Sequence, residues 1–207
     1  MNFDRIAPYY GLMESGMAGP CLKRCREAFL GDIPAPVDVL MIGEGHGRFL
    51  SEFRRRFPNT SITVVDGSEV MLGIAKAALA DAEKVDFVHS MIEDWETGKR
   101  FDLIVTNFML DCVGGDRMSQ VIAHIASFAK PGANWLVADF NEASGGPAKW
   151  RSRFIISLLY LFFRKVAGIE SRSLHPWDEF IIREGFVLHR GKSFSWKLLK
   201  SEWWLRP

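Results

Sequence analysis

Val37-Asp38-Val39-Leu40-Met41-Ile42-Gly43-Glu44-Gly45-His46-Gly47-Arg48-Phe49-Leu50 is the stretch that decides the fold. Residues 37–42 are a continuous apolar run of the kind that is buried on both faces of a parallel sheet. Three glycines follow at alternate positions, Gly43, Gly45 and Gly47, where the backbone can bend sharply and come close to a ligand without a Cβ in the way. Phe49, Leu50, Phe53 and Phe57 then recur at helical spacing. A strand, a glycine-rich turn and a helix that opens with unpaired amides make a cradle for a nucleotide cofactor.

The same alternation continues downstream. Residues 61–65 read as a second strand ending at Asp66, and Ser68 is placed to cap a helix whose apolar side is Val70, Met71, Ile74, Ala75, Ala78 and Leu79. Residues 85–89 and 101–107 read as the third and fourth strands. Met118, Val121, Ile122, Ile125 and Phe128 mark a helix that stops near Pro131-Gly132, and residues 134–140 read as the fifth strand. Strands alternating with helices predict a parallel sheet covered on both faces. Gly145-Gly146-Pro147 breaks this rhythm. A long apolar helix over 150–166 and a shorter one over 177–184 follow. Residues 186–189 and 193–199 read as two last strands joined through Arg190-Gly191-Lys192, an antiparallel hairpin at the sheet edge. The fold class expected is therefore α/β: a three-layer α/β/α sandwich around a doubly wound, mostly parallel, seven-stranded sheet with one antiparallel edge strand.

A chain of 207 residues suits one domain, 1–207. Short helices over 3–12 and 21–30, separated by Gly16, Gly19 and Pro20, form an N-terminal helical cap, 1–30, and residues 145–176 form a helical insertion or lid. The formal net charge of +1 gives no global drive toward nucleic acid or an anionic surface. Arg54-Arg55-Arg56 reads as a solvated helix face. The opening residues lack the basic-then-apolar pattern of a signal peptide, which implies a cytoplasmic protein. Cys21, Cys25 and Cys112 cannot all pair, and their spacing matches no zinc module, so reduced thiols and no metal are expected. Residues 154–163 are strongly apolar but too short to cross a bilayer, which needs about 20 residues.

Asp66 stands about 20 residues past the glycine loop, where a strand-end carboxylate can accept hydrogen bonds from both ribose hydroxyls. Dinucleotide enzymes carry G-x-G-x-x-G at the loop. Here the third glycine comes one residue early, which disfavours a nicotinamide oxidoreductase.

With these elements in place, most of the chain resembles the class I, Rossmann-like S-adenosylmethionine-dependent methyltransferases. Asn2-Phe3-Asp4-Arg5-Ile6-Ala7-Pro8-Tyr9-Tyr10 is similar to the opening of the quinone- and small-molecule-methylating branch. Ile42-Gly43-Glu44-Gly45-His46-Gly47-Arg48-Phe49 resembles the family's first motif. Val64-Val65-Asp66-Gly67-Ser68-Glu69-Val70-Met71-Leu72 resembles its acidic motif. Phe101-Asp102-Leu103-Ile104-Val105-Thr106-Asn107-Phe108 resembles its fourth-strand motif. Pro131-Gly132 and Glu184-Gly185-Phe186 are also typical of it.

The resemblance implies S-adenosyl-L-methionine as cofactor and S-adenosyl-L-homocysteine as its product. Gly43, Glu44, Gly45 and Gly47 would line the methionine part and the ribose. Asp66 would hold the ribose hydroxyls, with Gly67 and Met71 near the adenine. Ser90, Met91 and Ile92 would border the adenine edge, and Asn107 and Phe108 would close over the methionyl part. Two positions depart from the family. Met41 stands where an acid commonly helps hold the cofactor's ammonium, and Glu44 is placed to take over part of that role. Ser90 stands where many members have aspartate. His46 reads as a partly solvated loop residue.

Methyl transfer from a sulfonium is an in-line displacement that needs proximity and collinearity, and a base only when the acceptor must lose a proton. No catalytic dyad is evident. Asp111 is the one candidate catalytic residue, and Cys112, Asp139, Asn141 and Glu142 join it as residues that could face an acceptor at the carboxyl ends of strands four and five. Tyr9 and Tyr10 could close the site, and His175 lies in the late insertion. Residues 154–163 read as packed core or as a lid over an aromatic or lipid-like acceptor, reached from a membrane surface without a transmembrane segment. Trp196, Trp203 and Trp204 read as cover for the sheet edge. The function expected is methyl transfer to a small organic acceptor. The alternative is an inactive cofactor-binding or interaction protein on the same fold. Nucleic acid is not an expected partner, and a homodimer is compatible with the sequence.

Overall fold

The computed structural model of the protein describes residues 19–79, 83–142, 150–152, 154–157 and 174–207. In chain order the elements are α1 (Gly19–Arg26), β1 (Asp38–Ile42), α2 (Arg48–Arg56), β2 (Ser61–Asp66), α3 (Glu69–Ala77), β3 (Val85–His89), β4 (Phe101–Asn107), α4 (Gly115–Ser127), β5 (Ala129–Phe140), α5 (Asp178–Arg183), β6 (Val187–Phe194) and β7 (Leu199–Leu205). Single 3-10 turns, Ile92–Asp94 and Leu110–Cys112, follow β3 and β4. The strands form one sheet in the order β3-β2-β1-β4-β5-β7-β6. β1 to β5 run parallel, and β7 runs antiparallel between β5 and β6.

The apolar run of β1 is continuous because both of its faces are covered. Val39 and Met41 meet Phe49, Leu50 and Phe53 of α2 and Leu72 and Ala75 of α3. Leu40 and Ile42 point the other way, toward Met118, Val121, Ile122 and Ile125 of α4 and Ile181 of α5. The period-two alternation of a strand thus divides its side chains between two cores. Burying each of these large apolar groups contributes roughly 1.5–3 kcal/mol. The switch at β1, where the chain turns from one half of the sheet to the other, leaves a crevice at the carboxyl ends of β1 and β4, the place where open α/β sheets bind ligands.

The expected α/β/α sandwich is observed, with several local differences. The hairpin turn lies at 195–198, not at Arg190-Gly191-Lys192. Those three residues continue β6, which is bulged between Leu188 and Arg190. The glycine there is part of the strand, and the reversal is made by Ser195, Trp196 and Lys197, all with left-handed backbone (φ 51°, 59° and 66°). The reversed strand β7 is interior and β6 is the edge. Trp203 and Trp204 of β7 are buried as expected, but Trp196 is 78% exposed at the turn.

The helix expected over 21–30 ends at Arg26. Beyond it, tighter bonds such as Leu30 N–H to Glu27 O turn the chain so that Phe29, Leu30 and Ile33 all reach the core beside β1. Pro131 and Gly132 lie inside β5 rather than ahead of it, at an irregularity in its pairing with β4. Arg54 is not solvated. It is buried and donates to the carbonyls of Pro58 and Thr60 (2.9 and 2.8 Å), which fixes the turn into β2. The helix expected over 3–12, and most of 145–176, lie outside the described residues; 150–152 and 154–157 are helical. Among the described residues no helix is long and apolar enough to cross a membrane.

Candidate cofactor and acceptor site

The three glycines do different work. Gly43, Gly45 and Gly47 all have positive φ (67°, 65° and 73°), a region where a Cβ is strained. A Cβ on Gly47 would stand 2.7 Å from Ala75 Cα, so this glycine lets α2 start against α3. A Cβ on Gly43 would meet Met109 Cγ at 2.9 Å. A Cβ on Gly45 would meet nothing within 4 Å. Gly45 therefore faces open space at the sheet's carboxyl end, where backbone can approach a ligand.

Asp66 closes this loop from β2. Its Oδ2 accepts from Gly45 N–H at 3.2 Å, and its Oδ1 accepts from Ser68 N–H at 2.9 Å. Ser68 in turn caps α3 by accepting from Met71 N–H at 3.1 Å. The Asp66 carbonyl accepts from Ser90 N–H at 3.1 Å, which brings the end of β3 alongside. His89 Nε2 lies 3.3 Å from the Gly67 carbonyl oxygen. Met91 is half-buried, and Ile92 packs with Ile42 and Val65. The loop glycines, Asp66, Gly67, Ser90 and Ile92 are thus one connected constellation.

Glu44 turns inward, and its Oε1 accepts from Leu50 N–H at 2.8 Å. Burial pushes its pKa up to about 7, opposed by the Leu50 hydrogen bond and the charge of Arg26. Arg26 comes from α1 and lays its guanidinium over the Phe108 ring, 5.2 Å from the centroid. Phe108 itself is held with φ 54° by its N–H to the Ala138 carbonyl (2.7 Å), and its ring meets Phe140 edge-on at 5.4 Å. Beside it, Asn107 is 8% exposed, and its side-chain Nδ2 has no hydrogen-bond partner among the described residues. A buried amide donor without a partner costs about 1–3 kcal/mol, a loss that a bound acceptor group would recover. That orphaned donor, the open face of Gly45 and the carboxylate of Asp66 fit a polar nucleoside–amino acid cofactor.

Next to it, on the β4–β5 side, lies a pair of buried acids. Asp139 is fully buried at the end of β5. It accepts from Phe140 N–H at 2.7 Å and from Asp111 N–H at 3.1 Å. Burial pushes the Asp111 carboxyl up to about 6, and Cys112 Sγ donates to its Oδ1 at 3.5 Å. Burial and the neighbouring Asp111 hold the Asp139 carboxyl well above the carboxylate range. Two carboxyls this close resist double ionisation. Cys25 of α1, fully buried, feels Asp139 as well, and burial pushes its thiol up to about 12. Over this end of the sheet sits a separate apolar cluster of Cys25, Ala138, Ile156, Leu198 and Leu199, with Phe108 and Phe140 against it.

Of the other expected residues, Asn141 ties the hairpin turn, donating from Nδ2 to Lys197 O at 2.9 Å and from its amide to Leu198 O at 2.7 Å. Glu142 is exposed just beyond β5. The His175 ring packs onto Gly115 at the start of α4, where a Cβ would lie 2.5 Å from Cε1. Tyr9 and Tyr10 lie outside the described residues. Arg26, Cys25 and Met109 had no signal in the sequence, since each depends on how α1 and the turn after β4 fold over the crevice.

A model of the methyltransferase domain matches residues 39–132, from β1 through α4 into β5. Among curated relatives, malonyl-[acyl-carrier protein] O-methyltransferase 2 of Ilyobacter polytropus is 29% identical over 114 residues, covering 55% of this chain and 43% of that protein. Trans-aconitate 2-methyltransferase of an Acidovorax species is 35% identical over 82 residues, covering 40% of this chain and 31% of that protein. The chain thus spans less than half the length of these relatives. The fold is similar to that of the N-methyltransferase NodS from Bradyrhizobium japonicum, solved with S-adenosyl-L-homocysteine (TM-score 0.66, 16% identity, 97% of this chain and 88% of that one). It is also similar to the mitomycin 7-O-methyltransferase MmcR (TM-score 0.71, 17% identity, 100% and 61%).

Proposed function

We propose, from the premise that this chain carries a class I, Rossmann-like S-adenosylmethionine-dependent methyltransferase domain, that it moves a methyl group from S-adenosylmethionine to a small organic acceptor. The observation that carries the reading is the Gly45–Asp66 unit. An open-faced glycine amide and a strand-end carboxylate, already hydrogen-bonded to each other, form one side of a crevice whose other side holds the unpartnered donor of Asn107.

When bound, the cofactor would supply an electrophilic methyl carbon for in-line attack by the acceptor, the methyl–sulfur bond breaking and the neutral thioether leaving. Asp66 would accept from the ribose hydroxyls, with Gly67 and Met71 toward the adenine and Ser90, Met91 and Ile92 along its edge. Glu44 would take the ammonium and Arg26 the carboxylate of the amino acid end. Asn107 Nδ2 would donate to the same end, and Phe108 would exclude water from it. Met41 is buried between β1 and α2, where an acid would have no partner. That supports Glu44 in the ammonium role.

Asp111 is the general base of this reading. Its raised pKa suits proton removal near neutral pH, and Asp139 fixes it through its backbone amide. The apolar cluster over the carboxyl ends supports a lipophilic or aromatic acceptor, and contact with a membrane surface belongs to this reading. Tyr9, Tyr10, Asp139 and Asn141 remain proposed acceptor-side residues. We take 1–207 as one domain with cap 1–30 and lid 145–176, located in the cytoplasm, and leave a homodimer compatible with it.

Calorimetric titration with S-adenosylhomocysteine, with NADH as control, tests the reading. Micromolar binding of the first alone, lost in Asp66→Ala, is expected. Preference for NADH overturns it, and binding without methyl transfer to any acceptor favours an inactive cofactor-binding protein.

A further inference from the structure

The helical residues 150–152 and 154–157 are apolar on two sides. On the inner side Ile156, 8% exposed, joins Cys25, Ala138, Leu198 and Leu199 over the carboxyl ends of the sheet, with Ile155 against the same cluster. On the outer side Trp150 and Phe154, four residues apart and so on one helix face, are 76% and 72% exposed. Arg151 links this face to the β6–β7 turn. Its Nη2 donates to Ser195 O at 2.9 Å, and its guanidinium stacks 5.5 Å over the Trp196 ring. Trp196, 78% exposed, is the apex of that turn.

The turn is not a loose loop. Three successive non-glycine residues in left-handed backbone cost roughly 1–2 kcal/mol each. Asn141 and Arg151 hold the turn with three hydrogen bonds, to the carbonyls of Ser195, Lys197 and Leu198. The fold therefore spends stability to hold an indole out in solvent. Trp150, Phe154 and Trp196 together form an aromatic tip flanked by the cations Arg151 and Lys197, both exposed. Soluble proteins seldom show several large aromatics together without a partner. Trp and Phe beside Arg and Lys are the mixture that settles at a bilayer's headgroup boundary, the rings in the acyl border and the cations on anionic headgroups.

We propose that the tip formed by Trp150, Phe154 and Trp196 docks the protein on an anionic phospholipid surface. A convex turn apex with cations at its flanks suits insertion into a headgroup layer. A second copy of the chain would bring Arg151 and Lys197 against their own kind. Docking here would turn the apolar cluster at the carboxyl ends toward the membrane, where a lipid-like acceptor is found. The proposal deepens the lipophilic-acceptor reading and rests on it for its purpose, but not for its test.

The full chain is sedimented with phosphatidylcholine vesicles with and without phosphatidylglycerol, alongside Trp196→Ser and the Trp150→Ser/Phe154→Ser pair. Binding to the phosphatidylglycerol vesicles is expected, with a blue shift of tryptophan emission and weakening by salt. A loss of roughly tenfold is expected in Trp196→Ser and of roughly a hundredfold in the pair, the scale of one and of two aromatics leaving an apolar phase. S-Adenosylhomocysteine binding, unchanged in the variants, shows that they fold. Wild-type protein left in the supernatant, or variants that bind as wild type, overturn the proposal. So does a dimer that the variants convert to monomer with no vesicle binding. Vesicle binding without S-adenosylhomocysteine binding would sink the methyltransferase reading and leave the docking surface standing. The reverse result would do the opposite.

Discussion

The amide of Gly45 donates to Asp66 Oδ2 across 3.2 Å, so the loop after β1 and the acid that ends β2 are one hydrogen-bonded unit. The other carboxylate oxygen, Oδ1, holds Ser68 N–H at 2.9 Å, and Ser68 caps α3. One side chain therefore sets the loop and starts the next helix.

Replacing Asp66 by Ala should separate these duties. Hydrogen bonds to a charged group contribute about 1.5–3 kcal/mol each. S-Adenosylhomocysteine affinity should fall about 10- to 100-fold in calorimetry, with a modest drop in melting temperature from the amides of Gly45 and Ser68. Asp66→Asn, which keeps one acceptor oxygen, should fall between. Unchanged affinity in Asp66→Ala would remove Asp66 from the cofactor site.

The middle and last positions of the glycine triplet should respond differently to Ala. Gly47→Ala adds a Cβ 2.7 Å from Ala75 Cα as well as backbone strain, and should cost about 2–5 kcal/mol of stability. Gly45→Ala meets no neighbour and should cost only about 1–2 kcal/mol. Its methyl group projects into the crevice instead, so ligand affinity should suffer more than stability. Melting curves and titrations on both variants check the contrast. Equal stability losses would mean that the open face of Gly45 is filled by the protein itself.

Why the glycine loop was legible and the hairpin turn was not follows from where the information lies. Gly43, Gly45, Gly47 and Asp66 are contiguous or at fixed spacing, and their roles follow from backbone conformation and strand order. The central strands β1 and β2 are buried along most of their length, which the sequence writes as the largely apolar runs 39–42 and 62–65. The hairpin misled because Gly191 is a turn residue by composition, whereas the turn is made by Ser195, Trp196 and Lys197, none of which favours positive φ. Tertiary bonds from Asn141 and Arg151 hold that turn, and local propensity cannot report them. Arg26 was hidden for the same reason. Its place over Phe108 depends on α1 folding across the sheet end.

Asp111 and Asp139 make a prediction about chemistry rather than binding. Asp111→Asn should leave S-adenosylhomocysteine affinity within about threefold and, for an acceptor that must lose a proton, lower kcat by about 10²–10⁴. The wild-type rate should rise with pH through about 6, as the Asp111 carboxyl ionises, and the variant should lose that limb. Asp139→Asn keeps one acceptor for the amides of Asp111 and Phe140, and because the Asp139 carboxyl is already held well above the carboxylate range the limb near pH 6 should stay in place. A rate insensitive to both substitutions would mean that transfer needs no base from this pair.

In the proposed site, Glu44 and Arg26 set the pH dependence of cofactor binding. Burial raises the Glu44 pKa from 4.5 to about 7. The folded state then holds more protons than the unfolded state between those values. This contribution to stability is fully present below pH 4.5 and is lost as pH rises through about 7. Glu44→Gln should remove that decline and melt higher than wild type at pH 8, by an amount on the order of 1–3 kcal/mol. Ligand binding should run the other way. An ammonium needs the ionised carboxylate, so S-adenosylhomocysteine affinity should rise between pH 6 and pH 8 in the wild type and stay flat in Glu44→Gln. Arg26→Gln removes the cation that favours ionised Glu44, so the affinity rise should move to higher pH. It should also weaken S-adenosylhomocysteine while sparing 5′-methylthioadenosine, which lacks the amino acid end. Equal weakening of both ligands would assign Arg26 to holding α1 over Phe108 rather than to the carboxylate.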